Sequence, residues 1–356
     1  MSLSQERSKR RKPTLADLAE RLGLDKSSVS LALRGSEKIG AATRAKVLAA
    51  AQQCGYRPNL AARQLATRQA QSVALVLPST FAPLHFSAVA ATVQSLAQQS
   101  AAAGLHFSVL SGDDLMKAVR GDLLLPLHPD GVLIWGDVPA HTVAIIQTMI
   151  SAVVVLDPHD ISYASYPGTT IGVDNAGGSR RITEHLISQG ARRLLFVMES
   201  QGHLGQQQRW TSTRETWLKQ HALDSLCFCH KTELTPQLLK SFVQKPDAAI
   251  FCSNDQCALD VWRRLQELAV RVPEQVLLAG FDAEVASTLI GLTSAVFDGE
   301  SLGKAAFELL MRHLKGDAAP GDQEHVLIPV DISIGRTTQR PTTPPRIPPT
   351  RKRHIS

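Results

Sequence analysis

The segment KSSVSLALR, residues 26–34, sets Lys26, Ser27, Ser30, Leu31 and Arg34 on one side of a short helical run, with Val29, Ala32 and Leu33 on the other. One ammonium, one guanidinium, two hydroxyls and an isobutyl group do not assemble a bond-making site. They suit recognition of a polyanion. Short hydroxyls let a helix approach closely, and Lys or Arg donates to guanine or to phosphate. The alternative is a plain helical hairpin with a solvated polar face.

What precedes this run must position it. Thr14 followed by Asp17 reads as a capping box that opens a helix, and Leu15, Leu18, Ala19 and Leu22 recur at helical spacing. Gly23 suits a left-handed C-terminal position, and Asp25 is placed to cap the next helix. Together these predict a helix-turn-helix, in which the N-terminal part of the second helix meets base edges in the major groove. A third helix is expected over 41–56, with Thr43, Arg44 and Lys46 placed to touch backbone phosphates. Pro58 and the alanine-rich NLAARQLA predict a further short helix, marginal alone, that needs a symmetry mate or DNA to form.

Charge is segregated along the 356 residues. Residues 1–68 hold 14 Lys+Arg against 5 Asp+Glu, a net +9; residues 69–335 are net −9; residues 336–356 are net +6. A basic head on an acidic body is the footprint of polyanion binding by the head. No apolar run approaches the roughly 20 residues that cross a bilayer. No apolar segment follows the basic N-terminus, and the five scattered cysteines fit reduced thiols, so a cytoplasmic location is expected. CFCH at 227–230 reads as a buried strand rather than a metal site.

From Val73 onward, apolar runs such as SVALVLP, DGVLIW, AVVVLD, AAIFCS and VLLAGFD alternate with amphipathic stretches at 88–103, 176–189, 256–269 and 300–315. Continuous apolar strands separated by helices predict a parallel α/β sheet, with ligands beyond the C-terminal strand ends. No dinucleotide, phosphate-loop, zinc-protease or serine-hydrolase motif is present, so neither catalytic residues nor a cofactor or metal is expected.

Head, hinge segment and body together resemble the LacI/GalR (lactose-repressor/galactose-repressor) family of bacterial transcription regulators, the likeness running to about residue 337. IGVDNAGGSRRITEHLISQGARRLLFV (171–197) and SNDQCALDVWRRLQELAVRVPEQVLLAGFD (253–282) carry it in the body. The resemblance implies an all-α helix-turn-helix head with a hinge helix, on an α/β body of two parallel-sheet subdomains similar to periplasmic binding proteins. It implies that Lys26 and Ser27 hold the first two recognition positions. Hinge helices would pair in the minor groove through Asn59, Ala62 and Leu65, with Leu65 wedging between base pairs. Leu31 departs from an arginine common in the family and shifts any base preference towards a thymine methyl.

In the body, the resemblance places effector contacts on Arg209, Asn254 and Asp282, beside Phe297, where the family often has a polar residue. Each also has a plainer reading: Asn254 or Asp255 as a helix cap, Arg209 in a surface ion pair, Asp282 in a turn.

The expected organisation is a basic arm at 1–13, a helix-turn-helix domain at 14–57, a hinge helix at 58–68, an effector-binding and dimerisation domain at 69–337, and a basic, Pro-rich, disordered tail at 338–356. The expected function is a sequence-specific repressor, homodimeric for want of a tetramerising heptad, that binds a pseudo-palindromic operator under control of a small polar effector, sugar-like or nucleoside-like. The rival readings are a solute-binding protein of the periplasmic type and a regulator whose cleft no longer binds a ligand.

Overall fold

The computed structural model describes residues 13–33, 35–56, 72–78, 87–122, 129–136, 138–317 and 324–340. Residues 1–12 of the basic arm, Arg34, the hinge residues Asn59, Ala62 and Leu65, and residues 341–356 lie outside them. The chain divides into two compact units, residues 1–70 and 71–356.

The first unit holds three helices, α1 (Leu15–Leu22), α2 (Lys26–Leu33) and α3 (Ala41–Cys54). Leu18, Ala19, Val29, Ala32, Val47, Ala50 and Ala51 form its buried core, with Leu15, Leu22 and Leu33 packed at the edge. Ala19, Ala32, Ala50 and Ala51 are small enough to let the helix axes approach, while burial of each larger side chain contributes roughly 1.5–3 kcal/mol.

The second unit contains two six-stranded sheets. The first runs β11 (His325–Ile328), β5 (Thr170–Val173), β4 (Ala152–Leu156), β3 (Gly131–Trp135), β1 (Ser72–Leu77), β2 (His106–Ser111), with every pair parallel. The second runs β12 (Val330–Ser333), β10 (Thr293–Phe297), β9 (Val276–Phe281), β8 (Ala248–Cys252), β6 (Arg193–Met198), β7 (Leu226–His230), antiparallel only at β12. Strands β1, β3, β4, β8 and β9 are buried at every position, as their unbroken apolar runs require. CFCH is the C-terminal part of the edge strand β7.

The chain passes between the sheets three times. Asp174 links β5 to helix α7 (Asn175–Ser188) and caps it, accepting from Gly177 N at 2.8 Å. Asp298 links β10 to the long helix at Gly299–Lys315 and caps it through Glu300 N at 3.0 Å. Pro329 joins β11 to β12. The long helix returns to the first sheet and packs on α4 (Ser87–Ala102). The approach is tight: a Cβ at Gly299 would lie 2.1 Å from the Ala88 carbonyl oxygen. This contact fixes the first turn of α4 at the gap between the sheets.

Thr338 and Arg340, expected within the tail, are held against the body. Thr337 and Thr338 are buried. Thr337 Oγ1 donates to Leu278 O at 2.7 Å and accepts from Thr293 N at 2.9 Å, while Thr338 Oγ1 meets Thr293 Oγ1 at 2.6 Å. Arg340 reaches Asp247 at 3.1 Å. Pairing to backbone across the second sheet holds these residues in the body, a tertiary effect invisible in a Pro-rich, basic composition.

Candidate functional site

In the first unit, both turns are set by their polar residues. Thr14 and Asp17 exchange the two hydrogen bonds of a capping box, at 3.3 and 2.8 Å, and Gly23 ends α1 at φ 65°. Asp25 opens α2: its carboxylate accepts from Ser28 N at 2.7 Å, from Ser28 Oγ at 2.6 Å and from Ser27 Oγ. These bonds, the Ser27 hydroxyl first, hold Asp25 well below the usual carboxylate range. Lys26 and Ser27 are exposed, and Ser30 and Leu31 half-buried, on the side away from Val29 and Ala32. Because the Ser27 proton is directed at Asp25, its oxygen is presented chiefly as an acceptor, suited to an adenine or cytosine amino group. Thr43 is half-buried at the start of α3. Arg44 donates to the carbonyls of Ser36 and Ile39, at 3.0 and 3.3 Å. Its guanidinium therefore braces the loop between α2 and α3, a role that composition did not disclose.

In the second unit, a cavity of about 360 Å3 opens between the two sheets at the C-terminal strand ends. Arg209, Asn254, Asp282 and Phe297 all line it. Arg209 projects from helix α8 (Leu204–Leu218), is only 6% exposed, and is held on every side. Its Nε donates to Asn175 Oδ1 at 2.8 Å, Nη1 to Ser253 O at 2.6 Å, Nη2 lies 3.2 Å from Asp282 Oδ1, and the group stacks 3.6 Å over the Phe281 ring. This is a buried ion pair, not a surface one. Asn254 does cap helix α10 (Asp255–Glu267), accepting from Cys257 N at 2.8 Å, and its amide also donates to Glu199. The plain reading and the functional one hold together there. Asp255 points elsewhere, into Ser287 Oγ, Ser294 Oγ and Glu284 N.

The backbone turns sharply where the strands end. Asp157 after β4 has φ 49°, and Asp282 and Ala283 after β9 have φ 101° and 49°. Non-glycine residues in this region cost free energy and persist where the surrounding structure holds them. Asp157 bonds His159 Nε2 at 2.7 Å, and the His159 ring lies 4.3 Å from that of His203, which comes from the other sheet's side of the cavity. Trp135 lines the wall, 1% exposed, with its Nε1 lacking a hydrogen-bond partner among the described residues.

Comparison with known proteins bears on both units. Residues 14–59 match the profile of bacterial regulatory proteins of the lacI family, and residues 183–338 match that of the periplasmic binding protein-like domain. The HTH-type transcriptional regulator CelR of Thermobifida fusca is 28% identical over 333 residues, covering 87% of this chain and 94% of that protein. Catabolite control protein A of Staphylococcus xylosus is 23% identical, covering 92% and 99%. The chain is similar to LacI-family regulators along most of its length. It is a DNA-binding transcriptional regulator. Solved LacI-family structures share the fold: a lac repressor dimer bound to operator and an anti-inducer superposes with TM-score 0.74 at 23% identity, over 93% of this chain and 100% of that one. A CelR–cellobiose complex superposes with TM-score 0.61 at 22% identity, over 91% and 99%. Among the described residues, no helix is long and apolar enough to cross a membrane.

Several cavity residues escaped the sequence reading. Asp157 was within reach, since AVVVLD ends as VLLAGFD does, with an Asp directly after a buried strand. Gln206 sits one helical turn before Arg209 and accepts from Ser200 N and Ser253 Oγ at 3.0 and 2.9 Å. His159, His203, Glu199 and Glu284 carry no local signal.

The acids titrate in opposite directions. Burial works against the Asp157 carboxylate, but bonded His159, with His203 and Arg209 beyond it, carries the net shift downward. Burial drives His203 well down, with His159 and Arg209 adding to it. Asp282 is pushed up to about 7, by burial first, against the pull of Arg209. A raised carboxyl pKa means that the folded state keeps a proton the unfolded chain has lost, so stability declines from near pH 4 to about pH 7 and then levels. Relative to Asp282→Asn, the wild-type chain should therefore lose on the order of 2 kcal/mol between pH 5 and pH 8. The variant isolates this slope, because His203 acts the opposite way as pH rises towards 6.5. Parallel wild-type and variant melting curves across that range would refute it.

Proposed function

We propose that this chain is a homodimeric repressor whose affinity for a pseudo-palindromic operator is set by a small polar ligand in the body cavity. Lys26, Ser27, Ser30, Leu31 and Arg34 would face the major groove and Thr43 a backbone phosphate, with Arg44 bracing the loop and the hinge residues Asn59, Ala62 and Leu65 completing the DNA contacts. Arg209, Asn254, Asp282 and Phe297 would hold the ligand, with Asp157 and Trp135 as further partners.

The observation that carries this reading is the cavity itself. Four residues scattered over 89 positions converge on one enclosed space between two sheets that three short crossovers connect. That space is of the size that takes a small molecule and mixes aromatic wall with a few fixed polar groups. Its wall contains a buried indole N–H with no partner among the described residues. The related lac repressor dimer is described bound to operator and the related CelR bound to cellobiose. Two sheets joined by three crossovers would also offer the bistable element that coupling to DNA requires.

The test begins with selection of duplexes from a random pool by the full-length chain. Enriched sites should be inverted repeats, and a ligand that raises the melting temperature should change operator Kd by roughly 5- to 150-fold. Asymmetric sites would remove the dimeric mode of binding. Stabilising ligands that leave Kd unchanged would remove effector control.

A further inference from the structure

The carboxylates around the cavity already have partners within the chain, and that pairing is informative about what can enter. Four carboxylates line it: Asp157, Glu199, Asp282 and Glu284. Asp157 is met by His159 at 2.7 Å, Glu199 by Lys231 at 2.7 Å, and Asp282 by Arg209 at 3.2 Å. Glu284, from the loop after β9, reaches across to the first turn of α4, where its Oε2 accepts from Ser87 N at 3.2 Å.

Two features of this cleft would ordinarily draw an anion. One is the guanidinium of Arg209; the other is the N-terminus of a 16-residue helix, with its unsatisfied amides and positive dipole end. Each already faces a carboxylate of the chain's own. Arg209 presents no open fork, because Nε and Nη1 are bonded to Asn175 and Ser253. Lys231 is turned away between Glu199 and Asp260, at 2.7 and 2.6 Å. The rest of the lining includes the indole of Trp135, the side-chain amides of Gln206, Asn254 and Gln256, and the apolar surfaces of Val89 and Phe297. Carboxylates accept from hydroxyls. They repel a second carboxylate or a phosphate brought into the same low-dielectric space.

We propose that the cleft takes an uncharged polyhydroxyl ligand and excludes the carboxylate- and phosphate-bearing counterparts, with Glu284 enforcing the exclusion at the start of α4. This rests on the effector reading of the cavity and adds a charge rule to it. Glu284 is a specificity residue in this account: it occupies from within the position an anionic group would otherwise take.

Thermal-shift and calorimetric titrations of the full-length chain test it, with matched sets at constant ionic strength: aldoses, alditols, disaccharides and nucleosides against their aldonates, uronates and phosphates. Every compound that raises the wild-type melting temperature should be uncharged, and its anionic counterpart should bind at least roughly 100-fold more weakly, the scale of a like-charge juxtaposition in an enclosed site. In Glu284→Gln, which keeps an acceptor for Ser87 N, that ratio should narrow by roughly tenfold or more. Glu284→Ser, which vacates the position, should narrow it further and serves if the glutamine variant fails to fold. An anionic wild-type ligand overturns the proposal, as does a ratio unchanged in both variants. No stabilisation by either class instead sinks the effector reading beneath it.

Discussion

Arg209→Met should abolish ligand-induced stabilisation and destabilise the body by about 3–5 kcal/mol at pH 8, the cost of removing one partner from a buried pair. Three groups lose their donor together: Asn175 Oδ1, Ser253 O and the Asp282 carboxylate. The methionine stem keeps some packing on Phe281, which the guanidinium overlies at 3.6 Å, so the loss reports charge and hydrogen bonding more than volume. The penalty should shrink at pH 6. Asp282, already pushed up to about 7, escapes by taking a proton once Arg209 no longer opposes the effect of burial. Adding Asp282→Asn to Arg209→Met should restore part of the stability at pH 8, because the uncompensated charge is gone. Denaturant midpoints of the two single variants and the double variant at both pH values measure this. Additive single effects would mean that the pair is not coupled, and an unchanged ligand response in Arg209→Met would remove the residue from the binding site.

Removing residues 1–70 should cost at least roughly 1,000-fold in operator affinity, the span between specific and nonspecific binding. The remaining body holds its own sheets and cores, so its ligand-induced melting shift should persist. Residues 1–68 carry net +9, whereas the fragment that remains, 71–356, carries net −3, so the charge that attracts the duplex leaves with the head. For the full chain, log affinity should fall linearly with log salt, with a slope set by the phosphates neutralised. Lys26→Ala should lower that slope by about 1 if Lys26 contacts phosphate, or relax preference at one base pair by about 1–3 kcal/mol if it reads guanine. Fluorescence anisotropy with labelled duplex distinguishes these. A fragment 71–356 that binds operator like the whole chain would place DNA recognition outside the helix-turn-helix.

Much of this protein is written locally. The capping box at Thr14, the glycine at 23, the apolar period of α1 and the unbroken apolar strands of the body depend on residues within a few positions of one another. Sequence alone therefore determined the helix-turn-helix, the strand-and-helix alternation, the charge divide and, through resemblance, the convergence of Arg209, Asn254, Asp282 and Phe297. Tertiary structure decided which groups face one another across gaps of tens to hundreds of residues. Glu284 meets Ser87, His203 stacks on His159, and Thr338 closes against Thr293, none with a periodic or motif-like trace. It also turned Arg44 onto loop carbonyls and Asp255 away from the cavity. The physical reason is that backbone geometry and apolar burial act over short sequence distances and leave patterns, whereas a pairing of buried charges depends on where two sheets happen to hold their loops. The charges were visible in the sequence; their partners were created by the fold.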